Sequence, residues 1–347
     1  MNLAQVLTAS TGGIGRHVAS VVVRLVDRGH RVRVFCPPAT ATAHELTGTG
    51  ADVRPLADLA GAGLRRADLV HAHGYKAGAI AWPAARLARS PLVVSWHNAV
   101  LPDHPAAEPA RLLQRLVARG ADLTLGASDD LVAEARRLGA RQADLLPVAA
   151  PALPVATVSR ETVRAGLGVG PTEVLVLTVA RLAPQKNLGL VLDVAAALRR
   201  DGGLRFAVAG EGPERAALAA RIAAERLPVA LLGHREDLGS LLAAADLALL
   251  TSTWEARALV AQETLLAGLP LVSTAVGGLP SLVGEAAILV APGDRAAAAE
   301  AVRRLADDPA ERARRAEAGR RQAATWPTED DVVDDLLDAY AGLVDRH

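Results

Sequence analysis

The chain is poor in several residue types that announce function. One cysteine, Cys36, stands among 347 residues, so no internal disulfide can form and a reducing compartment is expected. Aromatics make up only 2% of the chain, which leaves few platforms for stacking single-stranded nucleic acid. The core must then be built from Leu, Val and Ala. Charge of one sign is not in excess either. Lys+Arg and Asp+Glu balance at 38 each, so the chain as a whole is not drawn to a polyanion. No apolar stretch reaches about 18 residues without a charge, so no membrane span is expected. The first residues pass directly into a strand pattern, with no basic segment and long apolar run before it, so no secretory leader is expected. There is no D-x-D triplet and no internal repeat of about 20–50 residues.

What is present reads as two α/β domains, since the length is too great for one core. Residues 4–8 form an apolar strand, followed by the glycine loop Ser10-Thr11-Gly12-Gly13-Ile14-Gly15 and an apolar-periodic helix over 16–28. A strand over 31–36 completes a βαβ unit. The glycines let backbone N–H groups come close to a phosphate or sugar. A dinucleotide fingerprint is disfavoured, because Phe35-Cys36-Pro37-Pro38 offers no acid for a ribose and no Tyr-x-x-x-Lys pair follows. A turn that merely packs helix on strand remains an alternative. His71 and His73 end the strand over 68–74. Their H-x-H spacing suits a metal, but no third ligand is evident, so zinc is not expected. His97 follows the strand over 91–96, where it either touches a ligand or caps a loop.

Leu112, Leu113, Leu116 and Val117 form an apolar face beside Arg111, Arg115 and Arg119. That face could rest on an anionic membrane, although three charges are few and a solvated helix face is the simpler account. Residues 145–158 carry three prolines and no charge, marking the domain boundary.

The second half holds the sharper signals. The strand over 174–179 runs into Ala180-Arg181-Leu182-Ala183-Pro184-Gln185-Lys186-Asn187. Two cations just before a helix oppose its macrodipole, which makes sense if they and the helix amides converge on a diphosphate. Gly210-Glu211-Gly212-Pro213 is a tight loop after the strand over 204–209. His234-Arg235 follows Gly233, where a loop could hold a nucleobase by its backbone. Residues 251–280 read as loop, helix, strand and glycine loop, with Glu255 and Glu263 flanking a helix start and Gly277-Gly278 at the end. Residues 295–323 read as one long helix. Trp326-Pro327 interrupts it, and an amphipathic helix over 329–344 closes the chain.

In this order the motifs resemble retaining glycosyltransferases of family 4, with the GT-B fold. The resemblance rests on Gly12-Gly13-Ile14-Gly15, His71 and His73, His97, Val179-Ala180-Arg181-Leu182 through Lys186-Asn187, Gly210-Glu211-Gly212-Pro213, Ser252 through Glu255, Glu263 completing E-x₇-E, and Gly277-Gly278-Leu279-Pro280. It implies two Rossmann-like domains facing a central cleft: an acceptor-side domain over 1–152, a nucleotide-sugar domain over 153–326, and a terminal helix over 327–347 crossing back to the first. It implies a donor diphosphate held by Arg181 and Lys186 and by the N–H groups of Ala258, Leu259 and Val260. Glu263 would hold the ribose hydroxyls, Glu255 and His97 would face the donor sugar, and Gly13, Gly15, Gly210, His234 and Arg235 would complete the donor site. Arg181, Lys186, Glu255 and His97 are the candidate catalytic residues. The chain departs from the family where Gly-Phe-Gly is usual, with Ala256-Arg257-Ala258, and again at Ser281 and at Val148-Ala149-Ala150.

The implied reaction moves a hexosyl or N-acetylhexosaminyl group from a nucleoside diphosphate sugar, UDP favoured, to an unknown acceptor in cell-envelope, glycolipid or glycoside biosynthesis, with retention. No metal or cofactor is expected. The setting implied is cytoplasmic, with peripheral contact at the inner membrane face through the first domain and a lipid-linked acceptor left open. A sugar-nucleotide 2-epimerase, an inverting transferase using His17 or His97 as base, and an inactive sugar-nucleotide-binding partner subunit are the alternatives.

Overall fold

The computed structural model describes residues 1–10, 12–60, 64–101, 106–149, 152–153, 155–200 and 202–346. Thr11 of the first glycine loop, and Ala150, Pro151 and Pro154 of the connector, lie outside the described residues. The chain divides into two compact units. Unit 1 is Met1–Pro151 with Pro327–His347, and unit 2 is Ala152–Trp326.

Unit 1 begins β1 (Asn2–Leu7), α1 (Gly13–Asp27), β2 (Arg31–Phe35), α2 (Pro38–Ala43) and β3 (Asp52–Arg54). It continues β4 (Leu69–His73), α3 (Tyr75–Ala88), β5 (Leu92–Trp96), α4 (Ala107–Gly120), β6 (Leu123–Gly126), α5 (Asp129–Leu138) and β7 (Ala143–Leu145). Every strand pair is parallel and the order is β3-β2-β1-β4-β5-β6-β7. β4 and β5 are buried at every position, as expected of parallel strands covered on both faces. That is why LVVSW shows no polar alternation, and why both histidines of LVHAH are buried and not turned to solvent.

Unit 2 opens with α6 (Arg160–Gly166), β8 (Val174–Val179), α7 (Leu188–Leu198), β9 (Leu204–Ala209) and α8 (Arg215–Glu225). β10 (Val229–Gly233), α9 (Leu238–Ala244), β11 (Leu247–Leu250), α10 (Leu259–Leu266), β12 (Leu271–Thr274), α11 (Leu279–Val283) and β13 (Ile288–Val290) follow. Its sheet is also parallel, ordered β10-β9-β8-β11-β12-β13.

The long helix expected over 295–323 is a misreading. It is two helices, α12 (Arg295–Asp307) and α13 (Pro309–Ala323). Asp308 breaks it: its Oδ1 accepts from Glu311 N at 2.9 Å, capping α13, and Pro309 cannot continue α12 but suits a first helical turn.

The last helix, α14 (Glu329–Val344), belongs to unit 1. Thr328 and Asp331 form a reciprocal capping box at its start. Val332, Val333, Leu336, Tyr340 and Leu343 are buried. Arg24 of α1 pairs with Glu329 at 2.8 Å, and Arg28 with Asp330 and Asp334 at 3.0 and 2.9 Å. The apolar face supplies most of the attachment. The ion pairs are part exposed and add about 1 kcal/mol or less each.

Candidate functional site

The two central strands of unit 2 carry the loops that the sequence singled out. β8 and β11 are direct neighbours, with Leu247 opposite Val176 and Ala248 opposite Leu177. Since they are parallel, the segments 180–187 and 251–258 leave from the same end of the sheet. The strand order reverses at this pair, and ligands of open α/β sheets bind at such a switch point.

Lys186 lies in a 3-10 turn, Pro184–Lys186, and Asn187 follows in the left-handed region at φ +46°. Asn tolerates that region better than most residues, which lets the chain turn directly into α7. Lys186 Nζ is paired with Glu255 Oε1. Ser252 Oγ donates to the same oxygen at 2.6 Å. Thr251 Oγ1 donates to the Lys186 carbonyl at 2.9 Å, and Gln185 Nε2 donates to the Trp254 carbonyl at 2.9 Å. On its other side the Glu255 carbonyl accepts from Gly278 N at 2.9 Å. Gly277 sits at φ +52°, and a Cβ there would lie 2.0 Å from the Glu255 carbonyl oxygen. Three separate loops therefore meet at Glu255, which is 7% exposed: its carboxylate is held by Lys186 and Ser252, and its backbone carbonyl by the glycine loop. A small cleft lined by Thr178, Ala180, Lys186, Ser252, Glu255 and Val260 opens beside them.

α10 starts at the edge of this cleft. Ala258 is its cap, and the N–H groups of Ala258, Leu259 and Val260 precede the first intrahelical bond, from Ala261 N to the Ala258 carbonyl at 3.1 Å. They form an anion-favouring helix end next to Lys186 and Glu255. Glu263 lies one turn further on and is buried at 3% exposure. Arg181 is exposed in the first loop.

The Gly210 loop is pressed on that same loop. Gly210 N donates to the Gly233 carbonyl at 2.7 Å, and Leu182 N to the Glu211 carbonyl at 2.8 Å. Gly210 has φ +141°, and a Cβ would fall 1.9 Å from the Ala180 carbonyl oxygen. Gly210→Ala is therefore expected to destabilise unit 2 by about 2–4 kcal/mol and to displace the segment carrying Arg181. Urea unfolding measures the loss, and a midpoint equal to wild type would refute it. His234 and Arg235 are exposed, and Arg235 is held by Asp237 through bonds of 2.7 and 2.6 Å. Its charge is thus already partnered, so what this loop offers a ligand is backbone.

Arg257, where the chain leaves its family pattern, stacks over the Trp326 ring at 5.7 Å. Its Nε and Nη2 are buried without a hydrogen-bond partner among the described residues. Burial pushes this guanidinium down to about 10.

The remaining candidates lie in unit 1. Gly13 begins α1, and a Cβ on Gly15 would meet the His44 ring at 1.9 Å, so the face of that glycine is covered by His44. His44 Nε2 in turn meets the Ser10 carbonyl at 3.1 Å. His71, His73 and His97 form a buried polar chain. His71 Nδ1 lies 2.6 Å from Tyr340 Oη and its Nε2 2.7 Å from Ser95 Oγ. His73 Nε2 lies 2.8 Å from Gln5 Oε1 and its Nδ1 3.4 Å from His97 Nε2. Gln5 Nε2 donates to Tyr340 Oη at 3.2 Å. The strand-end pair is thus held by hydrogen bonds. Among the described residues no group of three or more His, Cys, Asp or Glu could hold a metal. Sequence reasoning missed Gln5, Ser95 and Tyr340 as partners of these histidines. Tyr340 had a visible place on an apolar helix face, but nothing local pointed 269 residues back to His71.

The comparisons with known proteins agree with this architecture. HepE of Anabaena in complex with UDP superposes with a TM-score of 0.86, at 22% identity over 99% of this chain and 100% of that one. The same protein has also been solved with UDP-glucose. The fold is therefore that of the GT-B glycosyltransferases. The model for glycosyl transferases group 1 matches residues 159–322, and that for a glycosyl transferase 4-like domain matches residues 12–151. The D-inositol 3-phosphate glycosyltransferase of Thermomonospora curvata is 30% identical, covering 97% of this chain and 92% of its own. Glycogen synthase of Mycobacterium tuberculosis is 31% identical over 91% and 88%. The chain belongs to the family 4 glycosyltransferases and is an enzyme of that kind.

Proposed function

We propose that the protein transfers a hexosyl or N-acetylhexosaminyl group from a UDP-sugar to a hydroxyl acceptor with retention of anomeric configuration. The observation that carries this reading is the Lys186–Glu255–Ser252 cluster beside the N-terminus of α10, at the switch point of the unit 2 sheet. A UDP-sugar has a diphosphate for the cation and helix end, and hydroxyls for the carboxylate. HepE, with the same fold, was solved with UDP and with UDP-glucose.

The difficult step is departure of a diphosphate from an oxocarbenium-like carbon. Preorganised cations and amides are the strongest device for it. Lys186 and Arg181, with the N–H groups of Ala258, Leu259 and Val260, would take the growing negative charge. Glu255 is paired with the Lys186 ammonium. An arriving diphosphate would compete for that ammonium and free Glu255 for the sugar hydroxyls. Glu263, buried on α10, would take the ribose diol, since two carboxylate oxygens match two adjacent hydroxyls. In front-face attack the leaving phosphate accepts the acceptor proton, so the scheme asks for no protein base and no metal.

A thermal-shift screen against UDP, GDP and ADP sugars tests this. Donor at about a hundred times Kd stabilises the folded form by about 2.7 kcal/mol, several degrees in Tm. The expected result is a shift with UDP-glucose or UDP-N-acetylglucosamine and none with the ADP sugars. No shift and no hydrolysis across the panel would overturn the reading.

A further inference from the structure

One face of the unit 1 sheet is left bare at the N-terminal end of its strands. Register places Asn2 beside Arg31, Ala4 beside Arg33 and Arg33 beside Asp52, so these side chains share one face of β1, β2 and β3. Leu3, Val32 and Val34, on the other face, pack in the core with Val18, Val21 and Val22 of α1. The connection from β3 to β4 carries a 3-10 helix, Leu56–Ala60, where the crossover from β4 to β5 carries the full helix α3. Among the described residues no longer helix of that connection covers the bare face, and a cavity of about 480 Å³ opens there.

The lining is basic in a chain of zero formal net charge. Arg31 and Arg33 stand on the floor and Arg65 and Arg66 on the wall, and Asp52 is the one acid among the described lining residues. Asp52 is already divided between Arg33 at 3.2 Å and Arg54 at 2.7 Å. Arg31, Arg65 and Arg66 have no acidic partner among the described residues. The wall is also fixed in place. Leu64 is buried, and its carbonyl accepts from Ala67 N at 2.9 Å. The Ala67 carbonyl accepts from Ser90 Oγ at 2.7 Å, and Asp68 Oδ2 accepts from Asn2 N at 2.7 Å. Between these anchors Arg66 is held in the left-handed region at φ +69°. Such strain persists in a non-glycine residue only where the surroundings impose it. Three guanidiniums without a counter-charge around one cavity, one of them on strained backbone, form an arrangement that an anion completes.

We propose that this cavity is an effector site for a sugar phosphate. A phosphate dianion offers three oxygens to three guanidiniums, and a guanidinium can give a phosphate two parallel N–H bonds. The volume is more than a phosphate alone fills and lies in the ordinary range of small-molecule sites, about 300–1,000 Å³. Asn2 and Asp52 offer polar groups for hydroxyls. No Phe, Tyr or Trp lines the cavity, so nothing there stacks a nucleobase. Among the described residues none of the exposed large apolar side chains lines it either, so a soluble phosphate fits it and one carrying acyl chains does not. β1 begins at the cavity and ends at Leu7, just before the first glycine loop. Six residues of strand put a ligand here about 20 Å from that loop, too far to take part in a reaction at that end of the sheet. The ligand is therefore an effector and neither donor nor acceptor. The site lies wholly in unit 1 and is independent of which donor unit 2 takes.

The test is titration calorimetry of the full chain with a panel of hexose monophosphates, with UDP present throughout so that a nucleotide site is already filled. Wild type is expected to bind at least one hexose monophosphate, one per chain, and to bind inorganic phosphate about tenfold or more weakly. It should ignore the free hexoses and lose affinity as salt rises. Arg31→Ala with Arg65→Ala should weaken binding about 10²-fold or more. Arg66→Gly should weaken it about tenfold with Tm unchanged or raised, because glycine accepts the left-handed backbone. Arg115→Ala with Arg119→Ala, on α4, should bind as wild type does. The proposal is overturned if no hexose monophosphate binds, or if the Arg31 and Arg65 variant binds as tightly as wild type. It is overturned equally if the α4 variant loses as much affinity, which would make the attraction a general one to basic surface. Inorganic phosphate binding as tightly as the best hexose monophosphate would overturn the sugar part of the assignment. Binding of a hexose monophosphate with no thermal shift from any nucleotide sugar would count against the transferase reading and leave this one standing.

Discussion

Replacing Lys186 by alanine is expected to lower turnover with a UDP-sugar about 10²- to 10³-fold. The Lys186 segment is held at three points. Its backbone carbonyl accepts from Thr251, its neighbour Gln185 is tied to Trp254, and its Nζ already rests on an anion, Glu255. A cation so placed has only to exchange Glu255 for the diphosphate, its backbone being already fixed, and preorganisation of this kind is what stabilises a transition state over the ground state. The loss should therefore appear in kcat and in kcat/KM together, with a smaller rise in KM. Stability should also fall, by about 1–3 kcal/mol, because Glu255 is left buried with Ser252 as its remaining side-chain partner. Lys186→Arg separates the two effects: it restores the charge and most of the stability, but not the point-like geometry, and should recover only part of the rate. Turnover within about twofold of wild type in Lys186→Ala would refute the assignment.

Glu255→Gln is the companion measurement. If Glu255 holds Lys186 only until a donor arrives, the amide should leave Lys186 freer for UDP alone. UDP affinity would then stay level or improve while turnover of the full UDP-sugar falls. The two substitutions should not be additive, since each removes half of one pair.

Much of this fold could be read before any coordinates. Strands such as VLVLTV and LVVSW announce a buried parallel sheet, and the glycine after each of several helices marks its end. Loop 180–187 was legible because Lys186 stands at a helix start, where a cation is disfavoured, and loop 251–258 because Glu255 and Glu263 flank another helix start. The rest escaped for physical reasons. Asp308-Pro309 divides a helix without disturbing its Ala/Arg/Glu composition, so periodicity ran across the break. α3 was not singled out, because its alanines and Pro83 blur any periodic apolar face. The pairing of Lys186 with Glu255 spans 69 residues, and that of His71 with Tyr340 spans 269. Such partners are brought together by strand order and by the return of α14, and no local spacing encodes either.

Acid is expected to unfold unit 1 well before unit 2. Four histidines of unit 1 are buried: His17 at 9%, His71 at 1%, His73 at 4% and His97 at 8% exposure. Burial pushes His71 down to about 3 and His17 to about 4, and holds His73 and His97 well below the ordinary imidazole value. The sign follows from comparing the two states. In the unfolded chain these groups take up protons below about pH 6.5, and in the folded chain they do not. The unfolded state then binds more protons, so the stability owed to neutral histidines is complete above that pH and is lost as pH falls toward 4. Each group contributes a slope of up to about 1.4 kcal/mol per pH unit, and four together on the order of 5. A fall from pH 6 to pH 5 could thus consume most of the stability of an ordinary domain, about 5–15 kcal/mol. Unit 2 contains a single histidine, His234, and it is exposed. Calorimetry at pH 7, 6 and 5 should show one transition moving steeply down while the other holds. Trp82 and Trp96 in unit 1, against Trp254 and Trp326 in unit 2, allow single-tryptophan variants to assign them. If neither transition shifts between pH 7 and 5, the histidine chain takes up protons while folded and the prediction fails; two transitions that shift in parallel would trace the acid effect to something other than these histidines.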